Sequence, residues 1–184
     1  MSKIKVGLLE DNPLIARDLH EKLLLSDDVE LILTASNGKD LFKKLPFYEL
    51  PEVFLMDIEM PHMDGIATTR LLKEKYPQVK ILILTVFDDD MKLFEAIKAG
   101  ASGYMLKDEK IHKIINAITD VLEGGAPLSP LIATKALELL RQGSNDIQIQ
   151  SVTRSAELTL RENEILDWLV RGLHVRDISE KLFI

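Results

Sequence analysis

Short apolar runs alternate with stretches of helical spacing along the first 125 residues of the chain. Ile4 to Leu9 reads as a strand and runs straight into Glu10-Asp11. Asn12-Pro13 then supplies a helix cap and a first-turn proline, and Leu14, Ile15, Leu19, Leu23 and Leu24 recur at helical spacing to about Leu25. Val29 to Thr34 is a second strand, closed by Asn37-Gly38, and Lys39 to Leu45 a short helix stopped by Pro46. Val53 to Met56 is an apolar run of the kind a strand buried on both faces shows. It ends abruptly in Asp57, turns through Met60-Pro61, and reaches Asp64-Gly65 before a helix from about Ile66 to Lys75.

The second half of this region keeps the rhythm. Val79 to Leu84 is a fourth strand, ending in Thr85. Asp88, Asp89 and Asp90 cap the next helix, which carries Met91, Phe94, Ala96 and Ile97 to the stop at Ala99-Gly100. Ser102 to Leu106 is a fifth strand, ending in Lys107. Asp108 or Glu109 opens a last amphipathic helix with Ile111, Ile114, Ile115, Ile118 and Leu122, stopped by Gly124-Gly125. Strand and helix alternating in this way imply an α/β domain, a five-stranded parallel sheet wound on both faces, because right-handed crossovers place a helix between parallel strands.

Beyond residue 125 the composition changes. Ser129-Pro130 caps a helix to about Arg141, and Ser144 to Glu157 is polar and reads as a tether. Thr159 and Glu162 then form a capping box ahead of Ile165, Leu166, Leu169 and Val170, with Gly172 as the stop. Val175 to Leu182 is a further short helix. The expected organisation is a domain over 1–125, a linker helix and tether over 126–157, and a helical segment over 158–184.

Bulk properties narrow the function classes. The chain has no cysteine, which removes disulfides, thiolate metal sites and thiol chemistry and fits a reducing, cytoplasmic setting. No apolar run reaches the length of a membrane span, and the start has no signal-peptide core. A formal charge of −7 argues against a chain that binds nucleic acid by charge alone.

Parallel strands all open their carboxyl ends on one edge, and here that edge receives Glu10, Asp11, Asp57, Thr85 and Lys107. Crowded carboxylates repel unless a cation sits among them. Oxygen donors without histidine or cysteine favour a hard ion, magnesium before calcium. Lys107 can hold a phosphoryl oxygen and Thr85 can donate to another. These are the parts of phosphoryl transfer onto a carboxylate. Taken singly, each has a bland alternative: Asp57 a loop or cap residue, Thr85 a strand end, Tyr104 a half-buried filler, Lys107 a solvated lysine. His62 is an exposed loop residue with no second ligand beside it, and His20, His112 and His174 carry no visible chemistry.

Four of these stretches together carry a resemblance. Glu10-Asp11-Asn12-Pro13, the run M-D-I-E-M-P-H-M-D-G from Met56 to Gly65, I-L-I-L-T ending at Thr85, and A-G-A-S-G-Y-M-L-K-D from Ala99 to Asp108 resemble the receiver of a bacterial two-component response regulator of the NarL/LuxR class. The tail resembles that class at L-T-L-R-E-N-E-I-L, Leu158 to Leu166, and in part from Gly172 to Leu182. Glu10 stands where Asp is more usual, and Ser179 where Ala is usual. The resemblance implies a flavodoxin-like receiver that accepts a phosphoryl group from a sensor histidine kinase on Asp57. It implies magnesium held by Asp11, by Glu10 through water, by Asp57, and by the backbone carbonyl of Glu59. Lys107 and Thr85 would stabilise the phosphoryl group, and Thr85 with Tyr104 would form the switch, the ring turning inward as the hydroxyl moves.

The same resemblance makes the tail the first two helices of a helix-turn-helix DNA-binding domain whose recognition helix is absent. Residues 158–184 hold four basic side chains (Arg161, Arg171, Arg176, Lys181) against five acidic ones (Glu162, Glu164, Asp167, Asp177, Glu180). This chain is therefore expected not to bind DNA specifically, although full-length members of the class do. Leu169, Ile178, Leu182 and Phe183 lack a third helix to cover them, so the tail is expected to be mobile or to pair with another chain, a homodimer among the options. The expected role is signalling rather than turnover: the domain assists only its own phosphorylation and dephosphorylation. A receiver with a protein–protein output is the alternative. An aspartate-nucleophile phosphatase would want D-x-D after the first strand, and a nicotinamide enzyme G-x-G-x-x-G there; neither is present.

Overall fold

The computed structural model of the chain describes residues 3–86 and 90–138. Asp88, Asp89, the end of the linker helix, the tether and the segment 158–184 lie outside the described residues. Five parallel strands, β1 (Ile4–Leu9), β2 (Val29–Ala35), β3 (Val53–Met56), β4 (Lys80–Thr85) and β5 (Gly103–Leu106), form one sheet in the order β2-β1-β3-β4-β5. Five helices connect and follow them: α1 (Pro13–Leu24), α2 (Gly38–Lys44), α3 (Gly65–Lys75), α4 (Asp90–Ala99) and α5 (Ile111–Leu122).

Alternation along the strands divides the interior into two cores. Phe54 and Met56 of β3 and Ile81 and Ile83 of β4 face Leu41 of α2, Leu72 of α3, and Leu93 and Ala96 of α4. Val53, Leu55, Leu82 and Leu84 face the other way, onto Leu19 and Leu23 of α1 and Ile114, Ala117, Ile118 and Val121 of α5. Both faces of β3 and β4 are thus covered, which is why these strands read as unbroken apolar runs. The chain leaves β1 toward β2 on one side and places β3, β4 and β5 on the other. The reversal opens a crevice at the carboxyl ends of β1 and β3.

Local chemistry explains the helix boundaries. Asn12 accepts from the amides of Leu14 and Ile15 to cap α1, with Pro13 in its first turn. Asp64 accepts from the amide of Ala67 to cap α3. Gly100 and Gly124, both at positive φ, follow the ends of α4 and α5.

Four expectations change in detail. α2 ends at Lys44, and Pro46 sits inside a short 3-10 turn, Leu45–Phe47, where its missing N–H is not required. Lys110, not Asp108 or Glu109, is the residue before α5; Glu109 instead reaches forward to pair with Lys113 at 2.7 Å. In α4 Leu93, Ala96 and Ala99 are buried, while Met91, Phe94 and Ile97 are exposed, because only one stripe of a short helix reaches the sheet. Ser129 precedes a helix over 130–138, yet its hydroxyl is buried with no hydrogen-bond partner, so it does not cap through its side chain. Among the described residues no helix is long and apolar enough to cross a membrane.

The α5 core sets a stability expectation. Ile118 is fully buried between α5 and the sheet. Ile118→Ala is expected to lower unfolding stability by about 2–5 kcal/mol, read in urea as a lower midpoint with an unchanged slope.

Candidate functional site

Three strand ends supply the site. Leu9 is paired with Met56, so the next residues on β1 and β3, Glu10 and Asp57, emerge side by side from the crevice. Their backbones are tied down on either side: the Glu10 amide donates to Ala35 O at 3.1 Å, and the Asp57 amide to Leu9 O at 3.0 Å. On β5, Leu106 pairs with Thr85, and the Lys107 amide donates to Thr85 O at 2.8 Å. Strand register therefore brings residues 97 positions apart in sequence (10 and 107) to one lip of the sheet.

The charged groups meet there. The Lys107 ammonium lies 2.9 Å from Asp57 Oδ2 and 2.5 Å from Glu10 Oε2, with its side chain 7 % exposed. Its reading as a solvated lysine is thereby excluded. Glu10 and Asp57 are each 5 % exposed, and Asp11 is exposed beside them. Oxygen atoms of Glu10, Asp11 and Asp57 all lie within 4.8 Å of one another. Asp57 Oδ1 accepts from the Ile58 amide at 2.8 Å, and Glu10 Oε1 from the Asn12 amide at 3.2 Å.

Burial dominates the electrostatics. Desolvation pushes both the Glu10 and Asp57 carboxyls above their ordinary values. Lys107 opposes the rise at both, and the Ile58 and Glu59 amides oppose it at Asp57. Two buried carboxylates share one ammonium, so the pocket keeps an excess of negative charge. All-oxygen donors, clustered and short of positive charge, suit a hard divalent cation, and a magnesium ion fits the residues present.

The loop after Asp57 is shaped for close approach. A Cβ on Gly65 would fall 2.0 Å from the Asp57 carbonyl oxygen, so a side chain there would force the loop away from the site. Gly65 N–H donates to Ile58 O at 2.9 Å, closing the turn. His62 in this loop is exposed and has a φ of 68°, a left-handed conformation uncommon outside glycine. Glu59 is exposed, and its side chain pairs with Lys92 of α4. Nothing in the sequence signals that pair, whose members are 33 residues apart on different elements. Glu10 and Asp11 also line a cleft of about 330 Å³ with Ser36, Asp40 and Lys44. Within it Lys44 pairs with Asp40 at 2.8 Å.

The remaining expected residues lie at the same edge or just behind it. Thr85 is fully buried at the end of β4. Tyr104 sits three positions before Lys107 on β5, buried in the core on the α2–α3–α4 side with Ile83, Leu93 and Ala96.

Comparison with known proteins agrees with this architecture. Residues 6–119 match the family model of the response regulator receiver domain. The transcriptional regulatory protein LnrK of Bacillus subtilis is 37% identical over 186 aligned positions, covering 98% of this chain and 83% of that protein. The crystal structure of the response regulator ChrA of a heme-sensing two-component system superposes with a TM-score of 0.64 at 32% identity, covering 100% of this chain and 83% of that one. A LuxR-family two-component response regulator from Aurantimonas sp. gives a TM-score of 0.66 at 25% identity, covering 74% of this chain and 97% of that one. The chain belongs to the two-component response regulators of the NarL/LuxR class, with its receiver domain in the sheet and helices described above.

Proposed function

We propose that Asp57 accepts a phosphoryl group from the phosphohistidine of a sensor kinase and that this modification switches a transcriptional output. The observation that carries the reading is the contact of Lys107 with Asp57 at 2.9 Å, inside a pocket with two further carboxylates. An Asp57 carboxylate oxygen attacks phosphorus in line, the P–N bond breaks, and the imidazole of the kinase keeps the electron pair. Lys107 already touches the attacking carboxylate and is the cation that meets the incoming phosphoryl oxygens. The Ile58 amide holds the other carboxylate oxygen, which fixes the attacking direction. Glu10, Asp11, Asp57 and the Glu59 carbonyl would hold magnesium, which supplies the positive charge that two carboxylates and one lysine lack.

Thr85 and Tyr104 are the switch in this reading. A new dianion on Asp57 draws the Thr85 hydroxyl toward it, and the Tyr104 ring, which is already turned into the core rather than outward, is held there. LnrK is named a transcriptional regulatory protein, and the same output through DNA is assigned here to any form of this chain that carries a whole DNA-binding domain, with a homodimer as its active state.

The decisive measurement is mass spectrometry after acetyl phosphate with magnesium. One phosphoryl group is expected on Asp57, none on Asp57→Asn, and none when magnesium is chelated; an unmodified wild type would sink the assignment. Lys107→Gln keeps a hydrogen-bond donor without the charge, and its rate of uptake is expected to fall on the order of a hundredfold.

The electrostatics add a pH prediction for the metal-free protein. The folded-state pKa of Asp57 is raised above its ordinary 3.8, so the folded chain holds a proton that the unfolded chain has already released. Stability is therefore lost as pH rises through that window and stays lower above it. Asp57→Asn should be more stable than wild type at pH 7, by on the order of 1 kcal/mol or about 2–4 °C. Thermal melts should show the advantage vanish near pH 3 and shrink when magnesium is added to the wild type.

A further inference from the structure

β5 is the edge strand of the sheet, and an edge strand presents unpaired N–H and C=O groups. Here they are taken by the chain that follows α5. The Tyr104 amide donates to Pro127 O at 3.0 Å, and the Ser129 amide donates to Tyr104 O at 3.2 Å. Tyr104 and Leu128 thus form a parallel bridge, a one-residue sixth strand. A Cβ on Gly103 would stand 2.9 Å from Pro127 O, so glycine at 103 is what lets the two backbones approach.

The helix over 130–138 then packs back onto the same region. Ile132 is 0 % exposed and lies in the same core as Tyr104, Leu93 and Ala96, with Leu128 and Ala136 packed against it. Leu131 and Leu137, on the other side of this helix, remain exposed. Both backbone groups of Tyr104 and the core around its ring are therefore shared with residues 127–136. The path from the phosphorylation site is short: the Lys107 amide bonds Thr85 O, and Tyr104 lies on β5, three residues before Lys107.

We propose that residues 126–138 are a built-in reader of the receiver, seated by the buried position of Tyr104 and released when that position is lost. The inference rests on the switch assigned to Thr85 and Tyr104 above. Its sign follows from the packing. A Tyr104 ring leaving the core disturbs the seat of Ile132, so the seated helix and the buried ring favour one another. The ring already occupies that buried position here; phosphorylation, which favours it further, tightens the seat. By reciprocity, unseating the helix weakens the response at Asp57.

The test uses the whole chain with beryllofluoride and magnesium as the phosphoryl mimic. In wild type, adding the mimic is expected to raise hydrogen-exchange protection of the Ser129 and Ala133 amides about tenfold, with no change in Asp57→Asn. Ile132→Ala is expected to bind the mimic about fivefold more weakly, Ile132→Val to fall between it and wild type, and Leu131→Lys to match wild type. Ile132→Val guards against a fold lost in the alanine variant, because it removes only one methylene. If the mimic binds with unaltered protection at Ser129 and Ala133, or if both Ile132 variants bind it as wild type does, the inference fails and the phosphoacceptor reading stands. If the wild-type chain does not bind the mimic at all, the phosphoacceptor reading fails and takes this inference with it.

Discussion

One ammonium held between two buried carboxylates is the contact on which the rest of this molecule depends. Lys107 touches Glu10 and Asp57 at 2.5 and 2.9 Å, with all three largely out of water. Charges withdrawn from solvent are tolerated only when geometry is close and further hydrogen bonds satisfy the remaining oxygens. That requirement fixes β1, β3 and β5 relative to one another at their carboxyl ends. The arrangement is also one positive charge short of neutrality. The imbalance costs stability in the metal-free chain and leaves a site whose charge suits a cation, an opposition common where function sits in a fold.

The frame around the contact is apolar and two-sided. β3 and β4 carry one set of side chains to each core, and each set has its own helices. A strand buried in this way cannot slip by one residue without turning both cores inside out. Register is thus protected by packing, and the positions of residues 10, 57, 85 and 107 inherit that protection. Where the chain must come closer than a side chain permits, glycine appears, at Gly65 against the Asp57 carbonyl and at Gly103 against Pro127.

The edge beyond β5 is covered by the segment that follows α5. The linker carries its backbone to Tyr104 and its Ile132 into the core beside the ring. Only a few residues separate that edge from the site: Tyr104 stands three residues before Lys107, whose amide bonds Thr85 O at the end of β4.

Much of this was legible along the chain. Alternating apolar runs and helical periods gave the number and order of elements, since burial on two faces leaves an unbroken apolar signature in β3 and β4. The acidic, hydroxyl and lysine residues ending those runs marked the edge, because parallel strands must open together. Long-range contact was not legible. The Lys107 side chain could be a solvated one on sequence alone, and only register decides that it is buried between Glu10 and Asp57. The pair of Glu59 with Lys92 and the seating of Ile132 beside Tyr104 leave no periodic trace, since each joins separate elements through a single side chain. Sequence determined which segments form and which chemistry gathers at their ends; tertiary packing alone decided which atoms meet, because proximity across a fold is set by register and layer rather than by spacing along the chain.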